Sequence, residues 1–255
     1  MSRFPPIFVS HGTPGLAVDA EAGAELAAWA RTLPVPRGIV IVSAHWQEAR
    51  PTRGSTAVAP TLLRDVDGYP PAEGLEHVAY HAPGAPELAY ELAACLPVER
   101  SDRGWDHGVW APLLHMFPST PVVQLSLVTG AAPRRLYGLG RRIGGLAERG
   151  YAILGSGGIT HNAAAIAPER DAPVATWARE FDGWVANLLA DAEMDELFAW
   201  RTQAPHARQA HPTTEHLDPL FVVAGAASLA DSAVGFPVRG FTHGTLSRRC
   251  VQFGR

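Results

Sequence analysis

The chain has 255 residues, of which 47% are hydrophobic and 18% charged, and this composition supports one sizeable core in a single catalytic domain, residues 1–255. Its formal net charge of -4 argues against a nucleic-acid partner, and no run of about 18 apolar residues predicts a membrane span. All 21 basic residues are arginine, which excludes lysine-based chemistry. Cys95 and Cys250 lack the CxxC spacing of a zinc site, and we expect a cytoplasmic protein.

Short apolar runs rich in β-branched residues predict buried strands at 7–9, 39–42, 122–127 and 151–154. Alanine- and leucine-rich stretches predict helices at 21–33, 85–96, 134–149, 174–189 and 217–228. Because strands and helices alternate, we predict the α/β class, with a single-domain layered sheet, mainly parallel or mixed, and helices on both faces. Residues 50–83 and 203–214 lack periodicity and are predicted to be long functional loops.

Three histidines follow predicted strands at the point where each strand ends. His11 follows the first strand, His45 the second, and His161 the fourth, after a glycine-rich segment. In open α/β sheets the ligand crevice lies at the carboxyl ends of the strands, so these imidazoles are predicted to converge. One histidine beside a strand is usually a hydrogen-bonded structural residue, whereas three in equivalent positions indicate a shared site.

Two further histidines are candidates for the same crevice. His107 precedes an apolar stretch, and its structural alternative is a pairing with Asp106 or a backbone carbonyl. His216 lies where a helix is predicted to open with Thr213 or Thr214 as its cap, which places Glu215 and His216 in the first turn. The remaining histidines lack such context: His77, His206 and His243 are predicted at the surface or in loops, His81 is unassigned, and His115 is predicted at a helix end.

A histidine-rich crevice without thiolates predicts a metal centre. Imidazole favours iron, zinc, copper or nickel over magnesium or calcium, and a mononuclear site is the natural inference. The histidines alone leave open whether the ion is a redox-active iron or a Lewis-acid zinc.

Five motifs occur in an order and spacing that are typical of one family. They are Ser-His-Gly-Thr-Pro at 10–14, Ser-Ala-His-Trp at 43–46, Asp-His-Gly-Val-Trp at 106–110, Gly-Ser-Gly-Gly-Ile-Thr-His-Asn at 155–162 and His-Pro-Thr-Thr-Glu-His-Leu at 211–217. On these motifs the chain resembles the class III extradiol ring-cleavage dioxygenases over nearly its whole length. It is most similar to the branch that contains the 4,5-DOPA extradiol dioxygenases.

The resemblance implies an α/β enzyme with a mononuclear non-haem Fe(II) that opens a catechol ring beside its two hydroxyls and inserts both atoms of O₂. His11 and His45 match two metal ligands, and His216 stands where better-known members carry the glutamate ligand. A three-histidine site also accommodates Zn(II), so the presence of zinc in the purified protein is compatible with the resemblance. Glu215 and His211 stay as alternates for the third ligand.

The resemblance also implies roles around the metal. His161 matches the acid/base residue, and His107 matches a catalytic position that contacts the substrate oxygens. Asp67 and Tyr69, in the segment 65–70, are expected to wall the substrate pocket, with ordinary turn packing as the alternative.

Three hypotheses of function follow. The first is an extradiol dioxygenase acting on a catechol, DOPA-like in its side chain, and O₂. The second is a zinc hydrolase or lyase that activates water with the same three histidines. The third is a binding protein of the same fold without catalysis. We expect small-molecule partners only, no nucleic acid or membrane, and a monomer or homodimer.

Overall fold

A computed structural model describes residues 3–49, 53–228 and 233–254. The strands within these residues are β1 (Ile7–Ser10), β2 (Ile39–Glu48), β3 (Arg53–Ser55), β4 (Glu99–Ser101), β5 (Val122–Val128), β6 (Ala152–Gly157), β7 (Val234–Gly235), β8 (Phe241–Thr242), β9 (Leu246–Ser247) and β10 (Val251–Phe253). The helices are α1 (Ala20–Ala30), α2 (Pro86–Cys95), α3 (His107–Met116), α4 (Pro133–Ile143), α5 (Gly145–Glu148), α6 (Thr176–Ala190), α7 (Met194–Phe198), α8 (Trp200–Gln203), α9 (Ala207–Ala210) and α10 (Asp218–Ala227).

Eight of these strands form one mixed sheet in the order β4-β3-β5-β2-β6-β1-β10-β7. Its centre is parallel, since β2 pairs in parallel with β5 and β6, and β6 pairs in parallel with β1. The strand β10 is antiparallel to both of its neighbours, and β3 is antiparallel to β5. The predicted α/β class and the mainly parallel or mixed sheet are confirmed.

Two hydrophobic cores lie on opposite faces of the sheet because strand residues alternate between them. Ile39 and Ile41 of β2 belong to the core that α1 and α3 cover. Val40 and Val42 of the same strand belong to the core that α2, α4, α6 and α10 cover. All four side chains are buried. Residues 39–42 of β2 therefore form a continuous apolar run, as expected where a strand is covered on both faces.

The four strands and four of the five helices predicted from the sequence are present with small shifts in their bounds. The fifth prediction, one helix over 134–149, is wrong because the helix breaks at Gly144 into α4 and α5. The loop predicted at 203–214 contains the short helix α9. The loop predicted at 50–83 is irregular except for β3 and one 3-10 turn, Leu75–His77, and its residues 50–52 lie outside the described residues.

The sequence predicts only the end of α3, at His115, and the observed helix contains Pro112. Proline has no N–H to donate to the carbonyl four residues earlier, which here belongs to Gly108. The hydroxyl of Ser156 on β6 donates to that carbonyl instead, at 2.5 Å. The proline therefore leaves an acceptor that ties the first turn of α3 to the sheet.

The helices α4 and α10 cross with their backbones in close approach. A Cβ at Gly140 would overlap the carbonyl oxygen of Val222, and a Cβ at Gly225 would overlap that of Tyr137. The contact fixes α10 over the sheet, where it packs against β6. Among the described residues, no helix has both the length and the apolar character needed to cross a bilayer.

We predict that Gly140→Ala lowers the free energy of unfolding by about 1–3 kcal/mol, because the new methyl group meets backbone that α10 cannot easily withdraw. Gly138→Ala is the matched control, since the same helix offers open space at that position. The control is expected to be neutral or stabilising by up to about 1 kcal/mol. Chemical denaturation of the two variants measures the difference, and equal stabilities would contradict the close approach.

Candidate active site

Five imidazoles meet at the carboxyl edge of the parallel strands. His11 follows β1, His45 lies near the end of β2, and His161 follows β6. His107 is the first residue of α3, and His216 lies two residues before α10. His11, His107 and His216 are each at most 4% exposed and His161 is 8% exposed, whereas His45 is half-buried and forms the more open side of the cluster.

The rings of His11, His45 and His216 form a nearly regular triangle. Their centroids are 5.0 Å apart for His11 and His45, 5.4 Å for His11 and His216, and 4.9 Å for His45 and His216. Three imidazoles that bind one first-row ion through nitrogen at about 2.1 Å have centroids about 5 Å apart. The triangle has the size of a three-histidine metal site.

Nitrogen and oxygen atoms that are able to bind a metal form two separate groups in the described residues. One contains His11, His45 and His107, and the other contains His161, Glu215 and His216, with the ligand atoms of each group within 4.8 Å of one another. The ring of His107 lies 4.0 Å from that of His45 and 5.2 Å from that of His11. The sequence-predicted alternate Glu215 thus reaches the cluster, whereas His211 belongs to neither group.

The tautomer of His11 is fixed by Ser156. The Ser156 hydroxyl gives its proton to the Gly108 carbonyl, so its oxygen accepts the hydrogen bond from Nδ1 of His11, at 2.9 Å. The proton of His11 is therefore on Nδ1, and Nε2 carries a lone pair. This Nε2 lies 3.0 Å from Nε2 of His45, with both atoms facing the centre of the cluster.

An irregular end of β2 turns His45 into the cluster. The pairing of β2 with β5 shifts register between Val42 and Gln47, and Arg103 donates to the carbonyl of His45 at 3.0 Å. The same guanidinium binds the fully buried carboxylate of Asp106 at 2.9 Å. Ser43 and Gln124 also donate to this carboxylate, at 2.7 Å and 2.5 Å. Asp106 therefore anchors β2 and does not pair with His107.

The approach of His216 depends on the glycines of β6. A Cβ at Gly157 would overlap the carbonyl oxygen of His216, and the N–H of Gly158 donates to that carbonyl at 2.9 Å.

The predicted helix cap at Thr213 or Thr214 is wrong. The helix α10 begins at Asp218, and the carbonyl of Thr214 accepts the N–H groups of Leu217 and Asp218 in a preceding turn.

His161 stacks on His216 with parallel rings whose centroids are 3.4 Å apart. Its backbone N–H donates to the carbonyl of Ala210 at 3.0 Å, which fixes the end of the glycine-rich segment. His211 donates from Nε2 to the carbonyl of Ile159 at 2.8 Å, and aromatic side chains contact its ring. The structure thus gives His211 a supporting position beneath the cluster.

The donor set fits a metal ion that prefers nitrogen ligands. Nε2 of His107, His161 and His216 are buried without a hydrogen-bond partner. Buried polar atoms are rarely left unpaired, and lone pairs of several imidazoles that face one point are the arrangement a cation satisfies. Nδ1 of His216 contacts the carboxylate of Glu215 at 3.2 Å, which leaves its Nε2 for the ion.

Burial keeps four of the imidazoles neutral at pH 7. Desolvation, followed by the charges of neighbouring histidines, lowers the pKa of His45 and of His161 to about 4. The same causes lower the pKa of His11 and His216 well below the ordinary value of 6.5. Neutral imidazole is the form that binds metal, so the site is ready for an ion at pH 7 without prior loss of protons.

The long loop before α2 reaches the cluster through residues that the sequence reasoning only partly identified. Tyr69 packs edge-on against His107, with centroids 5.1 Å apart, and burial followed by the charge of Asp65 raises its pKa to about 12. Asp67 is exposed in the adjoining turn, whereas Asp65 hydrogen-bonds to His107. In the sequence, Asp65 is indicated only by its position in the segment 65–70, which is predicted to wall the substrate pocket.

A cavity of about 570 Å³ borders His11 and extends away from the cluster. Its lining includes the basic residues Arg170 and Arg248 and the acidic residues Asp19 and Glu73, and Arg170 is paired with Asp19 at 2.7 Å. A volume of this size holds a small organic molecule.

The other histidines lie away from the cluster. His115 is in the last turn of α3, as predicted for a helix end, and it contacts the carbonyl of Leu16 at 3.0 Å. The remaining side chains lie at the surface or in loops: His77, His81 and His206 are exposed and His243 is half-buried.

Comparisons with known proteins give one consistent result. Residues 5–248 match the family model of the catalytic LigB subunit of aromatic ring-opening dioxygenase. The chain is 35% identical over 233 residues to the 4,5-DOPA dioxygenase extradiol of Beta vulgaris, covering 86% of this chain and 85% of that protein. It is 34% identical over 269 residues to the Escherichia coli (strain K12) protein of that name, covering 99% and 96%. The crystal structure of an uncharacterized Escherichia coli K12 protein has a TM-score of 0.81 at 30% identity, covering 99% of this chain and 100% of that one.

We predict that Ser156→Ala lowers the metal affinity about 10- to 100-fold, because Nδ1 of His11 loses the acceptor that fixes its tautomer. Competition with a chromophoric chelator measures the change. The double variant Ser156→Ala with Pro112→Ala is the control, since it gives the Gly108 carbonyl a helical N–H donor again but restores no partner to His11. Recovery of metal affinity in the double variant would show that the hydroxyl acts through the helix alone.

We also predict that the metal-free protein loses stability as the pH falls from about 6.5 towards 4. Histidines of the unfolded chain bind protons below about 6.5, whereas His45 and His161 in the folded state stay neutral down to about 4. Urea denaturation in chelator at several pH values measures the slope. His161→Asn is expected to flatten it by up to about 1.4 kcal/mol per pH unit. Exposed His77→Asn serves as the control, and an equal flattening there would contradict the assignment.

Proposed function

Because the chain belongs to the LigB family of aromatic ring-opening dioxygenases, it is an extradiol ring-opening dioxygenase, and we propose that its substrate is a catechol with a DOPA-like side chain. In this proposal one mononuclear metal ion is bound by His11, His45 and His216. The observation that carries the assignment is the triangle of these three rings at the carboxyl edge of the sheet.

The ion in this proposal is Fe(II). Bound Fe(II) supplies a site where the two catechol oxygens and O₂ are held together and through which electrons pass from the ring to oxygen, and Zn(II) has no redox state for this role. Zinc binds nitrogen ligands more tightly than Fe(II), so the purified protein is expected to carry some zinc in an inactive form. The three neutral imidazoles are compatible with either ion.

His161 is proposed as the proton-transfer residue. Its Nε2 is buried without a partner and its ring stacks on His216, so it adjoins the proposed metal ligands and keeps a free nitrogen. Burial lowers the pKa of His161, so its ring is unprotonated at pH 7 and that nitrogen offers a lone pair to the substrate hydroxyl. The same ring then returns the proton to an oxygen atom as the O–O bond breaks, and both oxygen atoms stay in the ring-opened product.

His107 and Tyr69 are proposed to contact the substrate on the opposite side. Nε2 of His107 faces the cluster, and Tyr69 covers the His107 ring from the loop. Asp67, exposed in the same loop, is the second candidate of the predicted pocket wall.

The side chain of the substrate is proposed to lie in the cavity beside His11. A DOPA-like side chain carries an ammonium and a carboxylate, and the cavity presents acidic Asp19 and Glu73 together with basic Arg170 and Arg248. The name of several relatives, 4,5-DOPA dioxygenase extradiol, supports this substrate class. Cleavage between ring carbons 4 and 5 follows from the same analogy.

The domain organisation, compartment and assembly of the protein are also proposed. We retain residues 1–255 as one catalytic domain, the cytoplasm as its compartment, and a monomer or homodimer as its assembly. Catechol and O₂ are the partners that this function requires.

The test is anaerobic reconstitution with Fe(II) after removal of zinc, followed by air and a panel of DOPA, 4-methylcatechol and catechol. We expect a yellow ring-opened semialdehyde, with one O₂ consumed for each catechol and the highest kcat/KM for DOPA. Oxygen uptake without ring opening, or no uptake with any catechol, would contradict the proposal. Ester hydrolysis by the zinc form through the same histidines would favour the hydrolase hypothesis.

His161→Ala separates the proton-transfer role from metal binding in the same assay. We expect the metal content to stay unchanged while turnover falls about 10²- to 10⁴-fold, the usual effect of removing a general acid or base. His77→Ala, at an exposed position, is the control. Loss of metal with unchanged turnover per remaining ion would make His161 a ligand.

A further inference from the structure

We propose that Asp65 is a positioning residue that fixes the tautomer of His107 and so presents the Nε2 lone pair of His107 to a substrate hydroxyl. The proposal rests on the proposed function in naming that hydroxyl. Its structural part, the control of one tautomer by one carboxylate of a distant loop, stands on the geometry alone.

Both carboxylate oxygens of Asp65 form hydrogen bonds with His107. Oδ2 contacts Nδ1 of His107 at 2.8 Å, and Oδ1 accepts the backbone N–H of His107 at 3.0 Å. An ionised carboxylate only accepts hydrogen bonds, so the imidazole proton is on Nδ1. In the neutral ring Nε2 then carries a lone pair, and this atom is buried without a hydrogen-bond partner.

Asp65 also does what a helix cap ordinarily does. The residue before α3 is Asp106, but its side chain makes no cap hydrogen bond because Ser43, Arg103 and Gln124 occupy its oxygens. The backbone N–H of His107 would otherwise lack an acceptor at the start of the helix. A carboxylate 42 residues earlier in the chain therefore completes the first turn of α3 and holds its first side chain.

The two residues that precede Asp65 are anchored. The indole of Trp110 donates to the carbonyl of Leu63 at 3.1 Å, and the N–H of Leu63 donates to the carbonyl of Trp105 at 2.8 Å. Arg64 donates to the carbonyls of Leu75 and Val78, at 3.1 Å and 2.7 Å, which closes the loop upon itself. The carboxylate is thus held against His107 by the folded loop and by α3 itself.

Asp65→Asn tests the tautomer directly. The amide oxygen still accepts the backbone N–H of His107, while the amide NH₂ donates to Nδ1 and moves the imidazole proton to Nε2. We expect the long-range ¹⁵N spectrum of the zinc-loaded protein to show His107 in the Nε2–H form, with the metal content unchanged. We expect kcat/KM for DOPA in the iron-loaded enzyme to fall about 10- to 100-fold.

Two further variants exclude a merely structural effect. Asp191→Asn, at an exposed position at the end of α6, is expected to leave both readouts unchanged. In a His107→Gln background the addition of Asp65→Asn is expected to change kcat/KM less than about twofold, because a residue that acts only through His107 has nothing left to position. The missing ¹⁵N signal of His107→Gln assigns the resonance.

Three outcomes would overturn the proposal: an unchanged Nδ1–H tautomer in Asp65→Asn, an unchanged kcat/KM, or the same loss of kcat/KM with and without His107. Absence of ring opening in the wild-type iron enzyme would instead overturn the proposed function. The ¹⁵N spectrum would still decide whether Asp65 sets the tautomer.

Discussion

The placement of protons on the buried imidazoles is the constraint on which the rest of the site depends. A neutral imidazole has one N–H and one lone pair, and only the nitrogen that points into the cluster is useful to an ion or a substrate. Ser156 and Asp65 each accept the Nδ1 hydrogen of one histidine and leave Nε2 bare. Burial lowers the pKa of His11 and keeps that ring neutral, so the orientation of both rings is set by the fold before any ligand arrives.

These acceptors tie the site to the helix and sheet framework. Ser156 accepts from His11 only because its own proton is given to the Gly108 carbonyl, and that carbonyl is free because Pro112 donates nothing to it. One proline inside α3 therefore determines the tautomer of His11, which follows β1. Gly108 is required at the same crossing, since a Cβ there would overlap the Ser43 hydroxyl.

The sequence alone predicts the framework well and the connections poorly. The apolar runs of the central strands and the histidines that follow them are local patterns, so the sheet edge and the convergence of His11, His45 and His161 are predictable. The role of Asp65 was missed because its partner is 42 residues away and Asp106 stands directly beside His107. The start of α3 is not predicted for a related reason, since the donor that replaces the missing N–H of Pro112 is Ser156, which lies 48 residues from Gly108 in the sequence.

The irregular loop before α2 is part of the scaffold of the site. A long segment without regular structure ordinarily carries backbone groups that only water satisfies, but here Leu63, Leu75 and Val78 find protein partners in Trp110, Trp105 and Arg64. The carboxylate of Asp65 is thereby held in register with α3 although no strand or helix carries it. This explains how a loop, the least constrained kind of element, is able to supply a contact that requires the precision of hydrogen-bond geometry.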